Sequence, residues 1–212
     1  MDLFSPIVRF FQAGGLFMYP IAVLLVIGVA IAIERWRFLR RSHGEGAEFW
    51  RQVTPLMQQK DFAGAEALAR ESPSAIGKVV AYGLSHARGS RRRGDIEMAI
   101  EESLMEVTSL LEKRTHYLAT FANVATLLGL LGTISGLIRA FAAIASLNLA
   151  EKTDVLSASI SEALNATMFG LLTAVPLLLI HSWLTTRTGE LVDSLEMASV
   201  KFLNQLTAGE GA

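Results

Sequence analysis

Residues 118–138 read LATFANVATLLGLLGTISGLI, 21 positions without an Asp, Glu, Lys or Arg. A helix rises 1.5 Å per residue, so about 20 apolar residues cross a hydrocarbon core of about 30 Å. The stretch is long enough to span a bilayer, but it is too polar to be only an anchor. Asn123, Thr126 and Thr133 stand three and seven positions apart and share one helix face. Gly129, Gly132 and Gly136 run through its second half, and the Gly132-x-x-x-Gly136 spacing lets a second helix approach closely. Such a span is built to pack against other spans or to line a path.

Two more stretches have the same length and apolarity. The first is the core 16–33 of an apolar run over 10–33, with Pro20 near its start, where a missing N–H costs least. The other begins near 156 and reaches Trp183, an interfacial anchor, with Pro176 as a site for a bend. The expected layout is an N-terminal interfacial segment over 1–15, set off by Gly14-Gly15, and a first span over 16–34. A cytoplasmic helical domain follows over 35–116 and a second span over 117–147. A short periplasmic loop over 148–155, a third span over 156–184 and a cytoplasmic C-terminal helix over 185–212 complete it. Asp2 and the length of the first apolar run argue against a cleavable signal.

Charge gives the orientation. Arg35, Arg37, Arg40 and Arg41 follow the first span, Lys113 and Arg114 precede the second, and Arg187 follows the third. The opposite side holds Arg9, Arg139 and Lys152. By the positive-inside rule the N-terminus faces the periplasm or exterior and the C-terminus the cytoplasm.

Bulk composition agrees with a multi-span protein. Of 212 residues 51% are hydrophobic and 18% charged, against about 25% charged in soluble domains. Mean hydropathy is +0.40. A net charge of −1 gives no electrostatic footprint for nucleic acid. The absence of cysteine excludes disulfides, thiol catalysis and thiolate metal sites. His43, His86, His116 and His181 lack metal-ligand spacing.

The non-spanning part reads as helices, and no strand pattern is present. Asp61 is placed to cap a helix over 62–70, and Ser72 to cap the next, with Pro73 at its start. The segment 89–94, with Arg91-Arg92-Arg93, breaks the pattern; such a run either meets lipid head groups or a partner, or is a solvated turn. Asp95 then caps a run in which Ile96, Ile100, Leu104, Val107 and Leu111 recur at helical spacing. No Gly or Pro interrupts 95–123, which predicts one helix continuing into the second span. Leu191, Leu195, Ala198 and Phe202 likewise extend the third span. About 50 residues would make each of these helices about 75 Å long.

The third span carries its own polar and small-residue stripe: Ser159, Glu162, Ala166, Thr167, Gly170 and Ala174. Glu162 is the sole acid near the membrane core. An ionisable residue there is either part of a pathway or an interfacial group paired with Arg139 or Lys152. A threonine in a span either serves the pathway or bonds back to a carbonyl of its own helix. Asn123 cannot satisfy its amide fully within one helix, and Asn165 lies off the stripe. Neither the second nor the third span has a central acid. An ion path usually needs a carboxylate at depth, so the missing one is expected on a partner chain.

The run 129–141, GLLGTISGLIRAF, resembles the signature of the ExbB/TolQ/MotA family, and 160–167, ISEALNAT, followed by Gly170, Leu171 and Pro176, resembles its third-span segment. The three-span layout with an outside N-terminus is similar to the ExbB/TolQ branch rather than to the four-span flagellar branch. The resemblance implies an all-α, three-span integral membrane protein whose helices extend into the cytoplasm and which forms a homo-oligomeric ring, a pentamer. It implies residence in the bacterial inner membrane. It also implies two single-span ExbD/TolR-like partners with a transmembrane Asp, and a TonB/TolA-like or other periplasm-spanning protein beyond them. The job implied is that of an ion-motive-force channel or motor subunit energising a periplasmic or outer-membrane process. Thr133 and Thr167 match the pore-lining threonines and Glu162 the third-span glutamate. Asn123 and Thr126 join that pathway, with Gly129, Gly132, Gly136 and Gly170 as packing positions. No cofactor is implied; the proton is the transported ion. Thr126 stands where such proteins often have proline, and Asn123 and Asn165 add polarity, which keeps sodium as the alternative ion. The competing readings are a structural scaffold without conduction and a solitary solute transporter, which would need internal repeats. An enzyme is not supported: no catalytic constellation or nucleotide loop is present.

Overall fold

The computed structural model describes residues 10–11, 14–89, 92–144 and 149–208. Six helices are described: α1 Met18–Gln58, α2 Phe62–Glu71, α3 Ala75–Gly89, α4 Arg93–Glu112, α5 His116–Ile144 and α6 Leu149–Ala208. Three stretches of helix, in α1, α5 and α6, are long and apolar enough to cross a membrane. The chain divides into two compact units, one of residues 1–33 with 114–183, the other of 34–113 with 184–212.

In the first unit the spans show lipid-type surfaces. Val23, Val26, Leu127, Leu130, Ile138, Leu172 and Leu179 are all exposed, a concentration of apolar surface that a water-soluble monomer does not carry. Many of the residues buried between the helices are small, Ala122, Ala125 and Ala140 of α5 and Ala163, Ala166 and Ala174 of α6, beside the larger Met18, Ile21, Leu118 and Leu177. Without a hydrophobic drive between helices in lipid, close backbone approach and van der Waals contact hold such a cluster. Gly28 of α1 takes part, since a Cβ there would lie 2.7 Å from Leu177 Cδ2. Gly15, at φ +73, forms the bend before α1. The interfacial segment expected over 1–15 lies largely outside the described residues.

The second unit is an amphipathic bundle. Leu39, Phe49 and Val53 of α1, Ile76 and Val79 of α3, Ile96, Ile100 and Leu111 of α4, and Leu195, Phe202 and Leu206 of α6 form its core. Of the expected α4 face, Leu104 is half-buried and the other four residues are buried. Asp61 caps α2 as its spacing suggests, its carboxylate accepting from the Gly64 N–H at 2.9 Å. Just before it, Lys60 at φ 58 ends α1, and the Asp61 N–H reaches back to the Leu56 carbonyl. Asp61→Ala is expected to cost about 1 kcal/mol, read as a lowered unfolding midpoint.

Four expectations are corrected. The run 95–123 is not one helix: α4 ends at Glu112 and α5 begins at His116, with Arg114 at φ 66 between them. Lys, Arg and Thr are unremarkable in a helix, so composition gave no sign of a left-handed residue there. Residues 149–155, expected as loop, are already helical and open α6. Ser74 rather than Ser72 caps α3, its hydroxyl accepting from the Gly77 N–H at 3.0 Å, while Ser72 ends α2. Asp95 stands in the first turn of α4 and does not cap it; Arg92 holds the N-cap position, and its side chain makes no capping bond to the helix. A carboxylate in that turn still complements the helix dipole. The extension of the third span is observed, since α6 runs unbroken past Pro176 to Ala208.

Candidate ion-pathway site on the second and third spans

The glycines of α5 and the small stripe of α6 face each other. A Cβ on Gly129 would stand 3.2 Å from both the Ala166 oxygen and the Thr167 Cα. On Gly132 it would meet Ala166 Cβ at 2.7 Å, and on Gly136 Ala163 Cβ at 2.7 Å. From the other side, a Cβ on Gly170 would lie 2.7 Å from the Ala125 carbonyl oxygen and 3.1 Å from Gly129 Cα. Backbone meets backbone here, which only glycine allows.

This approach sets the polar groups. The Thr167 hydroxyl donates across the interface to the Gly129 carbonyl at 2.8 Å. That carbonyl is within reach because nothing larger than hydrogen separates the helices. The Thr133 hydroxyl donates to the Leu130 carbonyl of its own helix at 2.6 Å, and Thr126 to Ala122 at 3.1 Å. Both are the back-bonding that a threonine in a helix adopts most readily. Thr133 and Thr167 are half-buried, while Asn123 and Thr126 are exposed on the face that α6 leaves uncovered. The polar atoms presented are hydroxyl and carbonyl oxygens, the donor set for water, hydronium or a hard cation. Among the described residues no cluster of His, Asp or Glu could hold a metal ion.

Glu162 is bound at its place. Its Oε1 accepts from Arg139 Nη2 at 2.6 Å, joining α6 to α5. The same oxygen would lie 2.1 Å from a Cβ on Gly15, so the bend before α1 fits over this carboxylate only because residue 15 is glycine. Gly15→Ala is therefore expected to open the Arg139–Glu162 pair. Thiol labelling of a cysteine at Ser161 reads this as faster modification than in the parent background. Sequence reasoning missed Gly15 as a neighbour of Glu162. It also missed Thr173, which is 0% exposed, with a hydroxyl that has no hydrogen-bond partner among the described residues. Thr173 stands three residues after Gly170 and seven after Ala166, on the same stripe, so helical spacing could have found it. Arg92 and Arg93 lie at the start of α4 in the other unit, where Arg93 Nη2 donates to Asn204 Oδ1 at 3.1 Å; Arg91 is outside the described residues.

Residues 71–197 match the family model described as the MotA/TolQ/ExbB proton channel family. The chain belongs to that family. The match takes in both spans whose glycines interlock. An ExbB homolog of Methanothermobacter thermautotrophicus is 26% identical over 198 residues, 93% of this chain and 69% of the relative. An ExbB-like protein of Synechocystis is 30% identical over 179 residues, 79% of this chain and 80% of its own length. The Tol-Pal system protein TolQ of Haemophilus influenzae is 34% identical over 102 residues, 48% of this chain and 42% of TolQ. As a member of the MotA/TolQ/ExbB family, the chain is a multi-pass membrane protein and a subunit of proton-channel type.

Proposed function

We propose that this chain is the ring-forming subunit of an inner-membrane motor that uses the proton-motive force to energise a periplasmic or outer-membrane process. The observation that carries this reading is an oxygen-rich seam without a central acid. Spans two and three offer Thr133, Thr167, Thr126 and Asn123, and only the paired Glu162 as carboxylate. A pathway of this kind is incomplete until another chain supplies a titratable group at depth. An ExbD/TolR-like partner with a single span bearing Asp meets that need. The homologues' names support the pairing.

In this mechanism copies of the chain, five in number, surround two partner helices. The N-terminus lies outside and the C-terminus in the cytoplasm, as the flanking arginines favour. Thr133 and Thr167 hold water or the partner's carboxyl group at the seam. Protonation neutralises that carboxyl and frees its helix to move along an apolar wall; deprotonation anchors it again. A TonB- or TolA-like protein receives the force. No cofactor takes part.

The test is proton flux and coupled activity in vesicles holding this chain with its partner. Thr133→Val and Thr167→Val are each expected to bring flux to background while the complex still elutes at full size. Unchanged flux removes the threonines from the pathway, and absence of flux in the parent complex favours a scaffold. Asn123 and Thr126 add neutral oxygens of the type that coordinate sodium. Flux that requires sodium and ignores the pH gradient would change the ion and leave the architecture.

A further inference from the structure

In the second unit α1, α3, α4 and α6 enclose an open cavity of about 290 Å³. Ile76, Leu111 and Leu195, all buried, form its inner wall, beside Trp50. Its ionisable groups are His43 and Lys201, both exposed and therefore at the mouth, and no Asp or Glu lines it. An apolar hollow with cations at its rim fits an apolar group carried next to a carboxylate.

The same unit displays a surface of that chemistry. α4 buries Ile96, Ala99, Ile100, Ser103, Val107 and Leu111. Its opposite face carries Met98, Glu101 and Met105 at spacings of three and four. The methionines are 65% and 68% exposed, and Glu101 is exposed between them. Methionine is apolar and adaptable, suited to filling an irregular hollow. Neighbouring Glu102 accepts from the Tyr82 hydroxyl at 3.2 Å, while Glu101, between the methionines, and the exposed Glu97 and Glu106 that flank them make this face acidic. Leu111, which lines the cavity, belongs to the buried side of α4. Stripe and cavity therefore lie on opposite sides of that helix, as a head-to-tail contact that closes into a ring requires.

Heights agree as well. Arg35 Nη1 donates to the Leu110 carbonyl at 3.2 Å, which fixes where α1 and α4 run level. About 18 Å along α1 from that point stands Ala47, in the cavity wall, and about 18 Å back along α4 stands Met98. In a ring whose axis runs along these two helices, Met98 of one copy comes level with Ala47 of the next.

We propose that the Met98–Glu101–Met105 face of α4 docks into this cavity on a neighbouring copy of the same chain, with Glu101 facing Lys201 and His43. The inference rests on the homo-oligomeric reading above and names the surfaces that meet.

The chain contains no cysteine, so any introduced thiol is unique. Two full-length forms with different tags, one Met98→Cys and one Ala47→Cys, are co-expressed, purified from membranes and treated with a short bismaleimide. The expected product is a covalent dimer carrying both tags, while neither form bridges to itself. Lys201→Glu should suppress that product, and Glu101→Lys on the Met98→Cys chain should restore it. An intact oligomer with no mixed dimer overturns the inference and leaves the ring reading standing. The same holds if the Ala47→Cys thiol reacts only after lipid is extracted, since the cavity then holds an amphiphile. A monomer by light scattering overturns both.

Discussion

Gly170→Val is expected to abolish the folded hairpin of α5 and α6, and Gly170→Ala to weaken it by about 1–3 kcal/mol, the usual cost of overpacking. The Cβ of either residue would lie 2.7 Å from the Ala125 carbonyl oxygen and 3.1 Å from Gly129 Cα. Neither obstacle is a flexible side chain, so the helices must separate. Separation also pulls the Gly129 carbonyl away from the Thr167 hydroxyl, a bond worth about 0.6 kcal/mol on average between membrane helices. Gly129→Ala should be milder, because its contacts begin at 3.2 Å. Gly189 provides the contrast on the same helix. A Cβ there meets nothing within 4 Å. Gly189→Ala should therefore stabilise α6 by about 0.5–1 kcal/mol through backbone entropy alone. Unfolding midpoints in detergent order the four variants. Equal midpoints for Gly170→Ala and Gly189→Ala would contradict the packing assigned to residue 170.

Arg35→Ala is the second substitution with a large expected effect, about 2–3 kcal/mol, the scale of a hydrogen bond from a charged group with its acceptor left behind. The Arg35 side chain is 6% exposed and splits its donors, Nη2 to Glu34 Oε1 at 3.0 Å and Nη1 to the Leu110 carbonyl at 3.2 Å. Its guanidinium also lies 4.6 Å from the centre of the Phe38 ring. Leu110 is within the last turn of α4, where carbonyls lack intrahelical partners and the helix dipole is negative. A cation there does what further helix would otherwise do. Lysine has the charge but not the fork, so Arg35→Lys should recover only part of the loss. A midpoint as low for Lys as for Ala would show that the fork, not the charge, carries the effect. No change in either variant would dismiss the role.

The break that Arg35 secures is also where reading the sequence failed. Apolar runs without charge located the three spans because a hydrocarbon core tolerates little else. The Gly129–Gly132–Gly136 series and the Ser159-to-Ala174 stripe were legible as packing surfaces, since small residues at helical spacing have few other uses. Asp61 was legible because a cap needs one side chain and one nearby N–H. The turn at 113–115 was not. It depends on a tertiary contact from a residue far away in the chain, and Lys-Arg-Thr is equally at home in a helix. Ser72 and Ser74 are both competent caps, and residue type alone does not say which of them the Gly77 N–H reaches. For the candidate site, residue identities were readable but hydrogen-bond directions were not. Nothing in the spacing of Thr133 and Thr167 says that one bonds within its helix and the other across to its neighbour. The pairing of Glu162 with Arg139 was one of two open alternatives, and its cover by Gly15 had no sequence signal.

Those directions matter for any acid that visits the seam. Thr126, Thr133 and Thr167 each spend their hydroxyl hydrogen on a backbone carbonyl. What they still offer is lone pairs. Toward these three hydroxyls a neutral carboxylic acid can donate directly, whereas a carboxylate is held through water that donates to both, or by the Asn123 amide N–H. The seam thus meets the two forms of one side chain differently, the neutral acid directly and the carboxylate through water or amide, without carrying any charge itself.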